Sequence, residues 1–199
     1  MLRGLYAITP ETMGGEHLRS TVLQALEGGI AVLQYRRKSR ASPDEARSLA
    51  TLCRSRGVPF IVNDDIALAL ECGADGVHLG RDDGVLAAAR SRLPGMLLGA
   101  SCYDSIDAAR TAVASGADYV AFGSVFDSPT KPAAVRAPLT LFRTARPLGV
   151  PLVAIGGITL ANTPTLLAAG ADAVAVITDL FEAPDPAARA RDYGKLFRP

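Results

Sequence analysis

One short phrase recurs along this chain and sets its architecture. Glu71-Cys72-Gly73-Ala74-Asp75-Gly76-Val77, Ala114-Ser115-Gly116-Ala117-Asp118-Tyr119-Val120 and Ala168-Ala169-Gly170-Ala171-Asp172-Ala173-Val174 are near copies of one another, and Glu27-Gly28-Gly29-Ile30-Ala31-Val32 is a weaker fourth. In each, a glycine suited to a left-handed cap closes a helical pattern. A short turn, Ala-Asp in the three close copies, then leads into a run of the kind that forms a buried strand. The phrase is a helix-to-strand seam, so the chain is assembled from repeated βα units.

The seam glycines at 29, 73, 116 and 170 lie 44, 43 and 54 residues apart, room for two βα units in each interval. Reading strands between the seams gives eight, at residues 4–9, 31–36, 60–63, 76–80, 97–101, 119–123, 151–155 and 173–178. Eight parallel strands alternating with helices predict an α/β protein of the (β/α)8, or TIM-barrel, class. With 199 residues the chain is short for that fold, so the expectation is a single domain over residues 1–199 with no large insertion. A doubly wound open sheet is the alternative. It accounts less naturally for the two-unit period, and no Gly-rich dinucleotide fingerprint follows the first strand.

A formal net charge of +1 gives no electrostatic reason to expect nucleic acid or an acidic partner. No apolar run approaches the roughly 20 residues that span a bilayer, and Met1-Leu2-Arg3-Gly4-Leu5-Tyr6 enters a strand with no signal-peptide pattern, so no membrane partner is expected. Cys53, Cys72 and Cys102 form no C-x-x-C pair, and any disulfide would leave one of them over. That usage fits a reducing, cytoplasmic setting. Barrels of this type commonly associate, so a homo-oligomer is possible.

In such a barrel, chemistry sits on the loops at the C-terminal ends of the strands. The polar residues there are Gln34, Arg36 and Lys38 after strand 2; Asn63, Asp64 and Asp65 after strand 3; and Arg81, Asp82 and Asp83 after strand 4. Ser101 ends strand 5, Ser124, Ser128, Thr130 and Lys131 follow strand 6, Gly156-Gly157 follows strand 7, and Thr178 and Asp179 close strand 8. Lys38, Lys131 and Arg36 supply cationic donors, and a Gly-Gly turn lets backbone amides approach an anion. Asp64 and Asp83 follow adjacent strands and could share a Mg²⁺ with phosphate oxygens. Simpler roles compete: Asp65 is the best candidate to cap the next helix, Asp82-Asp83 could cap the one after it, and Arg36 or Arg37 could be a solvated surface charge. The weight lies in all these groups falling on one face.

Tyr6-Ala7-Ile8-Thr9, Gln34-Tyr35-Arg36-Arg37-Lys38, Val62-Asn63-Asp64-Asp65, His78-Leu79-Gly80-Arg81-Asp82-Asp83, Gly99-Ala100-Ser101, Ser128-Pro129-Thr130-Lys131 and Ile155-Gly156-Gly157-Ile158 follow one another in a characteristic order. In that order and spacing the chain resembles the thiamine phosphate synthases over nearly its whole length. The resemblance implies a transferase that joins hydroxymethylpyrimidine diphosphate to hydroxyethylthiazole phosphate, giving thiamine phosphate and pyrophosphate with Mg²⁺ bound. It implies that Gln34, Arg36, Lys38, Asn63 and Lys131 hold the pyrimidine diphosphate and that Asp64 and Asp83 hold the metal. It also places Ser101 near the reacting pyrimidine, Ser128 and Thr130 on the thiazole side, and Gly157, Ile177 and Thr178 around the thiazole phosphate. Lys38, Ser101 and Lys131 are the expected catalytic residues. A route through a pyrimidine cation captured by the thiazole nitrogen requires no general base, in keeping with a chain whose only histidines are His17 and His78. His78, inside strand 4, reads as a structural hydrogen-bonder.

Three positions depart from the family pattern. Cys102-Tyr103 follows Ser101 where many relatives carry a histidine, Ser128 stands where threonine is usual, and Arg81 where glutamine is common. Cys102 has no histidine close by in sequence to activate it as a nucleophile. Two other readings remain: a thiazole tautomerase of the same fold, which needs neither diphosphate nor metal, and a non-catalytic phosphate-ligand sensor. Joint retention of Lys38, Asn63, Asp64, Asp83 and Lys131 counts against both. The Pro-flanked loop 127–138 is expected to close over the ligand as a lid.

Overall fold

The computed structural model describes residues 2–38, 41–81, 84–127 and 136–198. Among them eight strands alternate with helices: β1 Gly4–Ile8, α1 Gly15–Glu27, β2 Val32–Tyr35, α2 Pro43–Arg54, β3 Phe60–Asn63, α3 Ile66–Cys72, β4 Gly76–Leu79 and α4 Leu86–Arg92. They continue with β5 Leu97–Tyr103, α5 Ile106–Ala114, β6 Tyr119–Phe122, α6 Thr140–Ala145, β7 Leu152–Ile155, α7 Thr163–Ala169, β8 Ala173–Val176, α8 Thr178–Phe181 and α9 Pro186–Leu196. Each strand pairs in parallel with the next, and β8 pairs with β1 through Gly4 opposite Ala173 and Ala7 opposite Val176, which closes the barrel. The open-sheet alternative is thereby ruled out.

Most strand limits lie within one residue of those expected from the sequence, and the two ends that differ by two bear on the site. Strand β5 runs on to Tyr103 through a bulge after Ser101, because the Tyr103 carbonyl accepts from the Gly123 amide at 3.0 Å. Strand β8 stops at Val176, because Thr178 opens a short helix whose first carbonyl accepts from the Glu182 amide at 2.9 Å.

Strand alternation divides the apolar residues into two cores. Leu5, Leu33, Val62, Val77, Leu98, Val120 and Val174 pack outward against the helices, while Tyr6, Ile8, Val32, Ile61, Tyr119, Val153 and Ala175 fill the barrel interior. The interior is therefore solid, and a cavity can open only at its rim.

The repeated seam acts as a register clamp. The amides of Asp75, Asp118 and Asp172 donate to the carbonyls of Phe60, Leu98 and Leu152 on the preceding strand, at 2.8, 2.7 and 2.8 Å. Their carboxylates accept in return from the amides of the same three residues, at 2.8, 2.7 and 2.9 Å. An arginine from the preceding βα unit attends each seam: Arg54 of α2 bonds the Gly73 carbonyl, Arg90 of α4 the Asp118 carboxylate, and Arg146, just past α6, the Asp172 carboxylate. The weak fourth copy keeps only the backbone half, Ala31 donating to Leu5 at 2.7 Å, because Ala31 stands where the aspartate would be. Asp118→Ala, which leaves the Leu98 amide without its carboxylate, should cost about 1–3 kcal/mol in urea unfolding. Asp107→Ala, which removes an exposed pair with Arg110, should cost about 0.5 kcal/mol or less.

Candidate active site

At the C-terminal rim of the barrel lies a cavity of about 480 Å³. Gln34, Arg36 and Lys38 line one side of it, Asn63, Asp64 and Ser101 continue the wall, and Gly157, Ile177 and Thr178 line the far side. The structure thus gathers nine of the expected site residues around one space. The remaining four, Asp83, Ser128, Thr130 and Lys131, lie outside the described residues, as does most of the expected lid. The ends of that loop are described: Asp127 and Arg136 form an ion pair, and the Ala137 amide donates to the Ser124 carbonyl at 2.9 Å.

A compact network holds the loop after β2. The Arg36 amide donates to the buried Thr9 hydroxyl at 2.9 Å, and the guanidinium reaches Glu11 at 3.4 Å. The other oxygen of the Glu11 carboxylate accepts from the Lys38 amide at 2.8 Å. Between these two residues Arg37 turns away from the cavity. Its side chain is only 8% exposed, so it is no solvated surface charge, and it pairs with Glu45 while donating to the carbonyls of Pro10, Glu11 and Met13. Glu45 also accepts from Tyr35 at 2.9 Å and from the Gly15 amide at 2.6 Å. The run Arg36-Arg37-Lys38 is therefore split, with the outer two residues facing the cavity and the middle one riveting loop to loop.

After β3 the neighbouring carboxylates separate in role. Asp65 caps α3, accepting from the Leu68 amide at 2.9 Å, as expected. Asp64 adopts φ of 65°, and its amide donates to the His78 carbonyl at 2.9 Å, which places its carboxylate at the cavity wall. Gln34 donates to the Asn63 side-chain oxygen at 2.6 Å, tying β2 to β3 beneath the cations. The residue in the cap position of α4 is Val85, and Asp82-Asp83 lies outside the described residues.

The Gly156-Gly157 turn has a packing reason for its glycines. Both residues have positive φ, 103° and 62°, and a β-carbon at Gly157 would overlap the Asp127 carbonyl, while one at Gly156 would overlap the Ser124 hydroxyl. Residues 124–127 after β6 lie directly on this turn. Asp179, a candidate by position, is taken up structurally: it accepts from Arg189 at 2.7 Å, Tyr193 at 2.7 Å and the Leu160 amide at 3.3 Å. Burial, followed by this hydrogen bond to Asp179, pushes the Tyr193 phenol up.

His78 bonds Ser101 at 2.8 Å through Nε2 and Tyr119 at 3.1 Å through Nδ1, the hydrogen-bonding role expected of it. Cys102 is 1% exposed, and burial pushes its thiol up to about 12, so it stays protonated and inert at neutral pH. Cys53 and Cys72 are likewise free and buried. Tyr103 lies at the rim, with φ of 53° and the Arg81 guanidinium stacked 4.6 Å over its ring. Glu11 and Glu45 were not singled out from sequence; Arg37 entered only as a candidate solvated charge and Tyr103 only as a departure from the family pattern.

Among the described residues no group of three or more metal-ligating side chains comes together. The donor set nonetheless suits Mg²⁺, which is commonly bound through one or two carboxylates plus substrate phosphates, and Asp64 presents its carboxylate beside the cationic wall.

A closed (β/α)8 barrel with cations, a carboxylate and a glycine turn around one rim cavity defines an enzyme that handles phosphorylated small molecules. Residues 5–180 match the family model of thiamine monophosphate synthase. The chain is 57% identical to the thiamine-phosphate synthase of Aromatoleum aromaticum, over 98% of this chain and 97% of that one. It is 56% identical to the enzyme of the same name from an Azoarcus species, over 98% of each. The solved thiamine phosphate pyrophosphorylase from Pyrococcus furiosus superposes with a TM-score of 0.85 at 34% identity, covering 98% of this chain and 95% of that chain. This chain belongs to the thiamine monophosphate synthase family and is an enzyme, a transferase of thiamine biosynthesis.

The loop network should be energetically coupled. Glu45→Ala, which strands the buried Arg37 charge, should lower stability by about 3 kcal/mol in urea unfolding. Glu45→Gln, which keeps one acceptor oxygen for Tyr35 and Arg37 but turns an NH2 towards the Gly15 amide, should cost less than the alanine.

Proposed function

We propose that the rim cavity condenses hydroxymethylpyrimidine diphosphate with hydroxyethylthiazole phosphate, forming thiamine phosphate and releasing pyrophosphate. The observation that carries this reading is the convergence of nine candidate residues on one cavity, cations and Asp64 on one side and the glycine turn on the other. In it, Arg36, Lys38 and Lys131, with Gln34 and Asn63, hold the diphosphate. Ser101 faces the pyrimidine, Ser128 and Thr130 lie on the thiazole side, and Gly157, Ile177 and Thr178 take the thiazole phosphate.

One carbon–oxygen bond to the diphosphate breaks and one carbon–nitrogen bond to the thiazole forms. The attacking nitrogen brings its own lone pair and carries no proton, so no side chain has to act as a base. Stabilisation must instead fall on the departing charge; Glu11 holds the Arg36 guanidinium and the Lys38 backbone amide, which sets both residues on the cavity wall. Asp64 and Asp83 would hold Mg²⁺, which when bound supplies further neutralisation of the diphosphate. The tautomerase reading leaves the cations beside Asp64 without a purpose, and the sensor reading leaves the carboxylate without one.

Among the described residues no helix is long and apolar enough to cross a membrane, and the three cysteines are free thiols. Both features are compatible with a single-domain enzyme in the cytoplasm acting on small molecules, which is the setting we propose.

Assay of the purified protein with both substrates tests the reading. Product should form only with both substrates and Mg²⁺ present, and Asp64→Ala should lower turnover about 10²-fold or more while the protein stays folded. Thiazole isomerisation without diphosphate would establish the tautomerase instead, and ligand binding without turnover would establish the sensor.

A further inference from the structure

Beneath the cavity floor a line of polar side chains runs through the barrel interior. The hydroxyls of Tyr6 and Tyr119 lie 2.9 Å apart, the Tyr119 hydroxyl lies 3.1 Å from His78 Nδ1, and His78 Nε2 lies 2.8 Å from the Ser101 hydroxyl. Tyr6 and Tyr119 are each 1% exposed, and Ser101 lines the cavity. The barrel is built to admit this line. A β-carbon at Gly99 would overlap the Tyr119 ring and press on His78 Nδ1, so the glycine leaves room for their hydrogen bond.

We propose that Tyr6, Tyr119 and His78 form a one-way hydrogen-bond chain that fixes Ser101 as a donor towards the ligand. The direction follows from counting protons. Among the described residues the acceptor available to the Tyr6 hydroxyl is Tyr119, and no buried side-chain polar atom is left unsatisfied. Tyr6 therefore donates to Tyr119, whose own proton must go to His78 Nδ1. An imidazole that accepts at Nδ1 carries its proton at Nε2 and donates it to the Ser101 oxygen. The Ser101 proton is then left to point into the cavity. Reversing the chain, or protonating His78 at both nitrogens, would strand the Tyr6 proton in an apolar interior, at the cost of an unmade buried hydrogen bond. Burial raises both phenols well above their ordinary value, so neither tyrosine can relieve the arrangement by ionising.

The consequence is chemical selectivity. A donating Ser101 favours groups that only accept, such as a pyrimidine ring nitrogen or an oxygen of the departing diphosphate. It disfavours an amine N–H in the same place. This rests on the reading that Ser101 faces the pyrimidine diphosphate. Tyr119 and His78 act through Ser101 and are positioning residues.

Protein labelled with ¹⁵N-histidine tests the direction independently of activity, since the chain holds only His17 and His78 and a His17→Gln variant assigns the signals. In the ligand-free protein at pH 7.5, His78 should be the neutral Nε2–H tautomer. An Nδ1–H tautomer or an imidazolium would overturn the proposal, whatever reaction the enzyme performs. The kinetic arm uses Ser101→Ala, Tyr119→Phe and the double variant. Tyr119→Phe should lower kcat about tenfold, leave the KM for thiazole phosphate unchanged, and add nothing further in the Ser101→Ala background. Additive losses in the double variant would show that Tyr119 does not act through Ser101 and would sink the proposal.

Discussion

The carboxylate of Asp118 and its own amide grip both backbone polar groups of one residue on β5, the N–H and the C=O of Leu98, each at 2.7 Å. The same double clamp joins Asp75 to Phe60 and Asp172 to Leu152. Everything at the other end of the barrel inherits its register from these contacts. In a parallel sheet a slip of one residue would turn every side chain to the opposite face. Tyr119 would then leave the interior, and His78 would lose its hydrogen bonds to Tyr119 and Ser101. The clamps sit at the N-terminal rim and the chemistry at the C-terminal rim, so the two can be built from different residues without conflict.

Above that frame, the site is assembled from pairs of neighbouring residues that divide labour. Arg37 faces the protein so that Arg36 and Lys38 can face the cavity. Asp65 caps a helix while Asp64, bent by a left-handed backbone, reaches the cavity wall. Ser101 meets the cavity while Cys102 packs outward among the helices. On the far side the glycine turn packs directly against residues 124–127 after β6. A bulky residue at Gly157 would disturb both.

The barrel was legible because its construction is periodic: the Gly-Ala-Asp seams mark three strand starts directly, and the spacing supplies the rest. Cavity-lining positions were legible because polar residues at strand ends are costly to bury without purpose. What the sequence concealed was partnership across the barrel. Glu11 and Glu45 read as ordinary exposed acids, and nothing local in Tyr6 or Tyr119 indicates that each faces the other from strands 113 residues apart in the chain. The extension of β5 through Tyr103 was likewise hidden, because it depends on the Gly123 amide of another strand.

The central claim is that one cavity holds two phosphorylated groups on opposite walls. A crystal structure of the protein soaked with pyrophosphate, Mg²⁺ and hydroxyethylthiazole phosphate tests it most directly. The account predicts pyrophosphate against Arg36, Lys38 and Asp64, and the phosphate ester across the cavity at Gly157 and Thr178. Finding both anions competing for the same wall, with the other wall empty at saturating concentrations of each, would contradict it.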